Sequence, residues 1–232
     1  MKGPTTAVIL SGGAGVRLRP ITQDLPKGLV KIGGKPILQW VIEWLKRNGV
    51  SEVVIGVAYL KEKIIDRLGD GRQYGVNIRY SVHTVSGGTG EGFRLAISRH
   101  VDDEEFFALN GDQITDLNLR LMYRAHARAG AMATIGVVHP RLPFGLVMSD
   151  RRGYCEGFLE KPIMKSITCS SGIYAFDRDI LSHLPREGDI EKTTLPELTR
   201  KKRLKVYVHN GRFLTVNTLK ELEEAERDLK EM

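Results

Sequence analysis

Apolar residues recur along the chain in two rhythms. Short apolar or alternating runs at Thr6 to Leu10, Val53 to Val57, Val76 to Val82 and Glu105 to Leu109 predict strands. Between them the spacing lengthens to that of amphipathic helices. Pro36 to Asn48 places Ile37, Leu38, Val41, Ile42 and Leu45 on one face, with proline suited to the first turn and Gly49 able to close the helix left-handed. Lys61 to Leu68, Gly92 to Arg99 and Leu117 to Ala129 read as further helices. Strand alternating with helix predicts an α/β fold: a Rossmann-like, mostly parallel sheet with helices on its faces.

The second half is less regular. Strands are expected at Ala133 to Val138, Leu146 to Met148, Gly172 to Phe176 and Leu204 to Val208, some of them antiparallel, with a helix over Asp189 to Leu198. The last helix carries a capping-box pair, Thr218 and Glu221, and would bury Leu219, Leu222, Ala225 and Leu229. No repeat or low-complexity linker divides the chain. The expectation is therefore one domain over residues 1–232, with 1–130 the regularly alternating part and 131–232 a smaller mixed or antiparallel lobe plus the C-terminal helix.

The 232 residues are 41% hydrophobic and 27% charged, enough for a full core. A formal net charge of +7 suits nucleic acid, an anionic membrane or small anionic substrates. The basic residues are spread out, however, and only Arg200 to Arg203 form a dense run, which reads as a solvated helix end. Aromatics are only 7%, without the basic–aromatic interleaving of a nucleic-acid reader. No apolar stretch approaches the ~20 residues of a membrane span. Neither a nucleic-acid nor a membrane partner is expected, and the cytoplasm is the expected location. Cys155 and Cys169 lack the spacing of a zinc site or a disulfide framework.

Chemistry concentrates where the first strand stops. In "LSGGAGVRLRP", Gly12, Gly13 and Gly15 offer bare amides, and Arg17 and Arg19 follow within reach, with Lys27 soon after. Amide donors joined by a guanidinium and an ammonium make a receptor for a polyphosphate. Other phosphate motifs fail. Counted from Gly13 and Gly15, the third glycine of a dinucleotide fingerprint would fall on Leu18, and Gly33-Gly34-Lys35 runs into proline where a P-loop needs Ser or Thr.

The stretch "LSGGAGVRLRPITQDLPKGLVKIGGKPIL", Leu10 to Leu38, resembles the signature of the sugar-1-phosphate nucleotidyltransferases, LxGGxGxRLxPLTxxxPKxLxPVxGKPxL. "GGTGEGF", "LNGD", "FG", "EKP" and "SSGIYAF" extend the likeness in order along the chain, as a short form without a C-terminal β-helix. The resemblance implies Mg²⁺-dependent transfer of a nucleotidyl group from an NTP to a sugar 1-phosphate, giving an NDP-sugar and pyrophosphate. It implies catalytic roles for Arg17, Lys27, Asp112 and Lys161. It places nucleotide contacts at Leu10, Gly12, Gly13, Ala14, Gly15, Val16, His83, Thr89 and Gly90. The sugar phosphate would meet Phe144, Gly145, Glu160, Lys161, Ser170 and Ser171, and the metal Asp112 and Asn217. A homo-oligomer is left open.

Departures from the family pattern bear on the metal, the sugar and the base. Ser170 stands where the family often has Asn. Thr215 replaces the usual second metal carboxylate, and Asn217 stands where some cytidylyltransferases have Asp; Asn217 alternatively reads as the N-cap of the last helix. His83 replaces a base-reading Glu or Gln, and Val16 a common Thr. Two other outcomes stay open: transfer to a non-sugar phosphate such as phosphocholine or an inositol phosphate, and a catalytically weak relative that only binds nucleotide or sugar nucleotide.

Overall fold

A computed structural model describes residues 3–230. In chain order the strands are β1 (Thr6–Ser11), β2 (Lys31–Ile32), β3 (Lys35–Pro36), β4 (Glu52–Val57), β5 (Asn77–Val82), β6 (Glu105–Asn110), β7 (Gln113–Thr115), β8 (Ala133–Val138), β9 (Leu146–Ser149), β10 (Cys155–Leu159), β11 (Cys169–Asp177), β12 (Leu204–His209) and β13 (Phe213–Thr215). The helices are α1 (Ile37–Arg47), α2 (Lys61–Leu68), α3 (Gly88–His100), α4 (Leu119–Ala129), α5 (Thr194–Arg200) and α6 (Leu219–Lys230).

Seven strands form one sheet in the order β12-β8-β11-β6-β1-β4-β5. Pairing is parallel except at β11, which runs antiparallel to both β6 and β8. The mixed character expected of the second half thus lies in one strand of the main sheet, in the small β9–β10 hairpin and in the antiparallel pairing of β13 with β7.

Alternation along the strands divides the core into two layers. Ala7 and Ile9 of β1, Val53 and Ile55 of β4 and Phe107 and Leu109 of β6 pack with α1, α2, α4 and α6. Val8, Val54, Phe106 and Ala108 face the other way, against Phe93 and Ile97 of α3 and Leu195 and Leu198 of α5. Strands buried on both faces read as nearly continuous apolar runs, as β1 and β4 do. Phe93 stands edge-on to Tyr174 and Phe176 in the second layer, at centroid separations of 6.3 and 6.2 Å, while those two rings stack on each other at 5.1 Å.

Two expected elements begin elsewhere. The helix α3 starts at Gly88 instead of Gly92, because its glycines are demanded by close approach and not by helix propensity. The Gly90 amide donates to Gly188 O at 2.8 Å, and the Gly188 amide returns a bond to Gly87 O at 2.9 Å. The same contact shortens the helix expected over Asp189 to Leu198. Asp189 Oδ1 accepts the Thr89 amide and the Ile190 amide donates to Thr89 Oγ1, so these residues serve the start of α3, and α5 begins at Thr194. Pro196 then sits in its first turn, where no amide donor is needed. At the C-terminal helix, Ala225 is buried and Leu222 and Leu229 are partly so, whereas Leu219 is 42% exposed.

A Cβ placed on Gly90 would stand 2.7 Å from Gly188 O and 2.4 Å from Pro185 Cγ. Gly90→Ala is therefore expected to cost about 1–3 kcal/mol of stability, read as a lower urea midpoint. An unchanged midpoint would mean that this contact yields freely.

Candidate active site

The cleft opens where the parallel strands end, beyond Ser11 of β1 and Asn110 of β6, as expected for a sheet of this kind. Its volume is about 440 Å³. One wall is the loop after β1. Gly15 takes a left-handed conformation (φ 59°), which glycine adopts without penalty, and starts a single 3-10 turn over Val16–Leu18. Buried Thr22 fixes that turn from behind, its hydroxyl donating to Gly15 O at 2.7 Å. Leu18 is fully buried, and Arg17 beside it is left facing the cleft.

Three distant segments meet on one ammonium. Lys27 Nζ lies 2.6 Å from Asp112 Oδ2 and 2.7 Å from Asn217 Oδ1. Arg17 Nη2 donates to the same Asn217 oxygen at 3.1 Å. Asp112 is held in place because the Gly111 amide continues the strand pairing, donating to Leu10 O at 2.8 Å. Two cations thus face one carboxylate and one neutral amide, leaving net positive charge for a polyphosphate to neutralise.

Asn217 does not cap the last helix. That place is taken by Thr218, whose Oγ1 accepts the Glu221 amide at 3.2 Å, while Glu221 Oε2 accepts the Asn217 amide at 2.6 Å. With its backbone tied into this capping box, the Asn217 side chain is free to enter the cleft. Thr215 lies in β13, paired with Gln113, and is not among the cleft-lining residues.

The donor set fits a divalent cation. Asp112 and Asn217 already direct oxygens at one positive charge, and Mg²⁺ is commonly held by one or two carboxylates completed by substrate phosphates and water.

The family model for nucleotidyl transferases matches residues 6–231. The chain belongs to the nucleotidyl transferase family. Divalent metal use is common in that family. A mannose-1-phosphate guanyltransferase of Schizosaccharomyces pombe is 33% identical over 226 residues, covering 93% of this chain and 61% of that protein. A UTP–glucose-1-phosphate uridylyltransferase of Synechocystis is 30% identical over 213 residues, covering 83% and 54%. The matched region is thus little more than half the length of these curated relatives. Among solved structures, a putative glucose-1-phosphate thymidylyltransferase from Bacillus anthracis superposes with a TM-score of 0.78 at 22% identity, covering 98% of this chain and 96% of that one. HddC from Yersinia pseudotuberculosis, complexed with GMP-PN, gives 0.75 at 22%, covering 97% and 100%. At these identities the structural likeness is one of fold.

Of the residues expected at a nucleotidyl transferase site, Leu10, Gly12, Gly13, Gly15, Val16, Arg17, Lys27, His83, Thr89, Asp112 and Asn217 line the cleft. The His83 ring is wedged between glycines: a Cβ on Gly12 would come within 2.4 Å of Nε2, and one on Gly92 within 3.5 Å. Nδ1 lies 2.9 Å from Thr84 O, and buried Nε2 has no partner among the described residues. Ala14 and Gly90 do not line the cleft, and the Gly90 amide is already bonded to Gly188 O.

The residues expected to meet the sugar phosphate lie outside the cleft. Gly145 packs on the Phe158 ring and the Glu160 carboxylate, and Phe144 is 75% exposed at the start of the β9–β10 hairpin. Lys161 adopts a left-handed backbone (φ 45°), a strained conformation for a residue with a side chain. Ser170 Oγ accepts the Gly172 amide. Ser171 differs from expectation: its buried hydroxyl donates to Gly136 O at 2.8 Å, inside the sheet, and offers a ligand no side chain.

Sequence reasoning missed Ser11, Val85, Asn110 and Asp189, which also line the cleft. Asn110 carried a usable signal, as the last residue of a strand running into "NGD". Asp189 carried none, since it reaches the cleft only through the packing of its loop on α3. Its carboxyl is held below the ordinary range, first by the hydrogen bond from Lys192 and also by the Thr89 amide.

Asn217→Asp would set a second carboxylate where Lys27 and Arg17 now converge. It is expected to tighten divalent-cation binding about tenfold or more, as a unit charge within ~4 Å contributes several kcal/mol at a protein surface. Calorimetric titration of Mn²⁺ or Mg²⁺ would read the change. Unchanged affinity would move the cation's ligands elsewhere.

Proposed function

We propose that this chain transfers a nucleotidyl group from an NTP to a sugar 1-phosphate, releasing pyrophosphate and forming an NDP-sugar. One observation carries the reading: Arg17, Lys27, Asp112 and Asn217 converge in one cleft beside the glycine loop. A nucleotide-binding part in 1–130 and a sugar-phosphate part in 131–232 fit the same division of labour within one domain.

In this reading the amides of the loop through Gly12, Gly13 and Gly15 receive the phosphate tail. Arg17 forks onto the β- and γ-phosphates, and Lys27 leaves Asn217 to lie against the phosphate at which reaction occurs. An oxygen of the sugar phosphate attacks the α-phosphorus, the bond to the β-phosphate oxygen breaks, and pyrophosphate leaves on the opposite side. Side chains contribute by positioning and by neutralising charge; none serves as a nucleophile. Mg²⁺, held by Asp112 with Asn217, would add charge neutralisation at the reacting phosphates. Glu160 would bind sugar hydroxyls, and Lys161 the incoming sugar phosphate, beside Phe144, Gly145 and Ser170. His83 would lie beside the base.

A pyrophosphate-release assay with Mg²⁺ tests this directly. It begins with GTP and mannose 1-phosphate, the pair that the names of several relatives indicate, then UTP and glucose 1-phosphate, and extends to other NTPs, heptose and amino-sugar phosphates, phosphocholine and inositol phosphate. Pyrophosphate and an NDP-sugar of the right mass are expected for at least one sugar pairing. Nucleotide binding without release in every pairing would make the chain a binding protein.

Two substitutions follow in the same assay. Arg17→Ala should lower kcat/KM by ~10²–10³, as when one transition-state donor is removed; near-native turnover would take Arg17 out of the mechanism. Asp112→Asn should abolish the dependence of rate on Mg²⁺ concentration together with most of the rate. An unchanged Mg²⁺ response would place the ion elsewhere.

A further inference from the structure

A second cluster of metal-ligating side chains stands at the opposite end of the sheet from the cleft. Glu105 opens β6 and Asp177 closes β11, and the two are direct partners in the antiparallel register. Like charges placed opposite one another across two strands repel. His126, reaching over from α4 and only 1% exposed, fills the space between them. Its Nε2 lies 2.9 Å from Asp177 Oδ1 and 3.9 Å from Glu105 Oε1. The three ligand atoms lie within 4.8 Å of one another.

Each ligand is held from behind. His126 Nδ1 is 2.9 Å from the hydroxyl of fully buried Thr134, which orients the ring. Tyr123 donates its hydroxyl to the other Glu105 oxygen, Oε2, at 2.6 Å. Metal-binding histidines and carboxylates are characteristically steadied by such outer partners. A proton on Nε2 answers Asp177 but leaves Glu105 Oε1 out of hydrogen-bond reach, whereas a cation at the centre answers all three.

We infer that Glu105, His126 and Asp177 form a structural site for a divalent transition-metal ion of the Zn²⁺ type, separate from the catalytic cation. One imidazole nitrogen with two carboxylate oxygens suits Zn²⁺ better than Mg²⁺. Both carboxylates are one-third exposed, so water can complete the coordination sphere. Such an ion fastens β6 to β11 at one end, while the other ends of the same two strands carry Asn110 to Asp112 and Ser170 to Gly172. It acts on the fold, not on the reacting atoms.

The test is a Zn²⁺ titration of chelator-stripped protein, followed by calorimetry and thermal unfolding, in the wild type and in Asp112→Asn, Glu105→Gln, Asp177→Asn and His126→Gln. The titration requires no turnover, so its result is independent of the proposed reaction. The wild type and Asp112→Asn are expected to bind one Zn²⁺ and gain about 5–10 °C in Tm at a hundredfold excess over Kd. Glu105→Gln and Asp177→Asn should weaken that binding at least tenfold. His126→Gln should lose it, and if that variant fails to fold, the partly exposed Glu105→Gln and Asp177→Asn carry the test. No Zn²⁺-dependent rise in the wild type overturns the inference. So does a rise lost only in Asp112→Asn, which places the ion in the cleft, or one that persists in every variant, which marks adventitious binding.

Discussion

The Lys27 ammonium is the point on which the cleft depends. It joins a 3-10 turn after the glycine loop, the loop at the end of β6 and Asn217, the residue before the cap of α6, three segments that local sequence does not bring together. A partly buried ammonium is stable there only if its partners are oxygen acceptors in fixed positions. Asp112 and Asn217 meet that demand through backbone bonds: the Gly111 amide is tied to Leu10 O, and the Asn217 amide to the Glu221 carboxylate. The capping of a helix and the pairing of two strands are therefore conditions of the site's electrostatics. Any perturbation of α6 reaches Lys27 and Arg17 through a single side chain.

That arrangement also defines what this chain asks of a cation and a nucleotide. One carboxylate and one amide oxygen carry less negative charge than two carboxylates, and both basic side chains stay partly uncompensated. A metal ion arriving already bound to a triphosphate relieves this imbalance better than a free one, since the phosphates supply the missing charge. The β9–β10 hairpin, by contrast, sits outside the cleft with Phe144 and Phe158 open to solvent. The proposed transfer to a second phosphate would require that lobe and the cleft to face one substrate pair.

Most of the sheet was legible because its signal is local. The helix α2 and the strand β8 lie where the periodicity puts them, and the β1 loop is read directly from glycines placed before fixed charge. What escaped was decided by tertiary contact. The start of α3 was hidden because glycine weakens a helix in isolation, whereas Gly88 and Gly90 are required by the nearness of Gly188. The expected helix at Asp189 failed for the same reason, seen from the other side of that contact. Asn217 had two competing readings in the sequence, cap or ligand. Thr218 takes the cap, a matter of one residue in register, and the Asn217 side chain lies in the cleft. Ser171 shows the limit of reading a motif: the pattern names the residue, but its hydroxyl turns inward to Gly136 O where the register of β11 against β8 shifts.

A crystal structure with a non-hydrolysable NTP and Mg²⁺ tests the central claim most directly. The triphosphate is expected along the Gly12–Gly15 loop, with Arg17 on its distal phosphates, Lys27 moved off Asn217, and the ion on Asp112. A nucleotide tail lying away from this loop, with the Lys27–Asp112–Asn217 contacts intact, would contradict it.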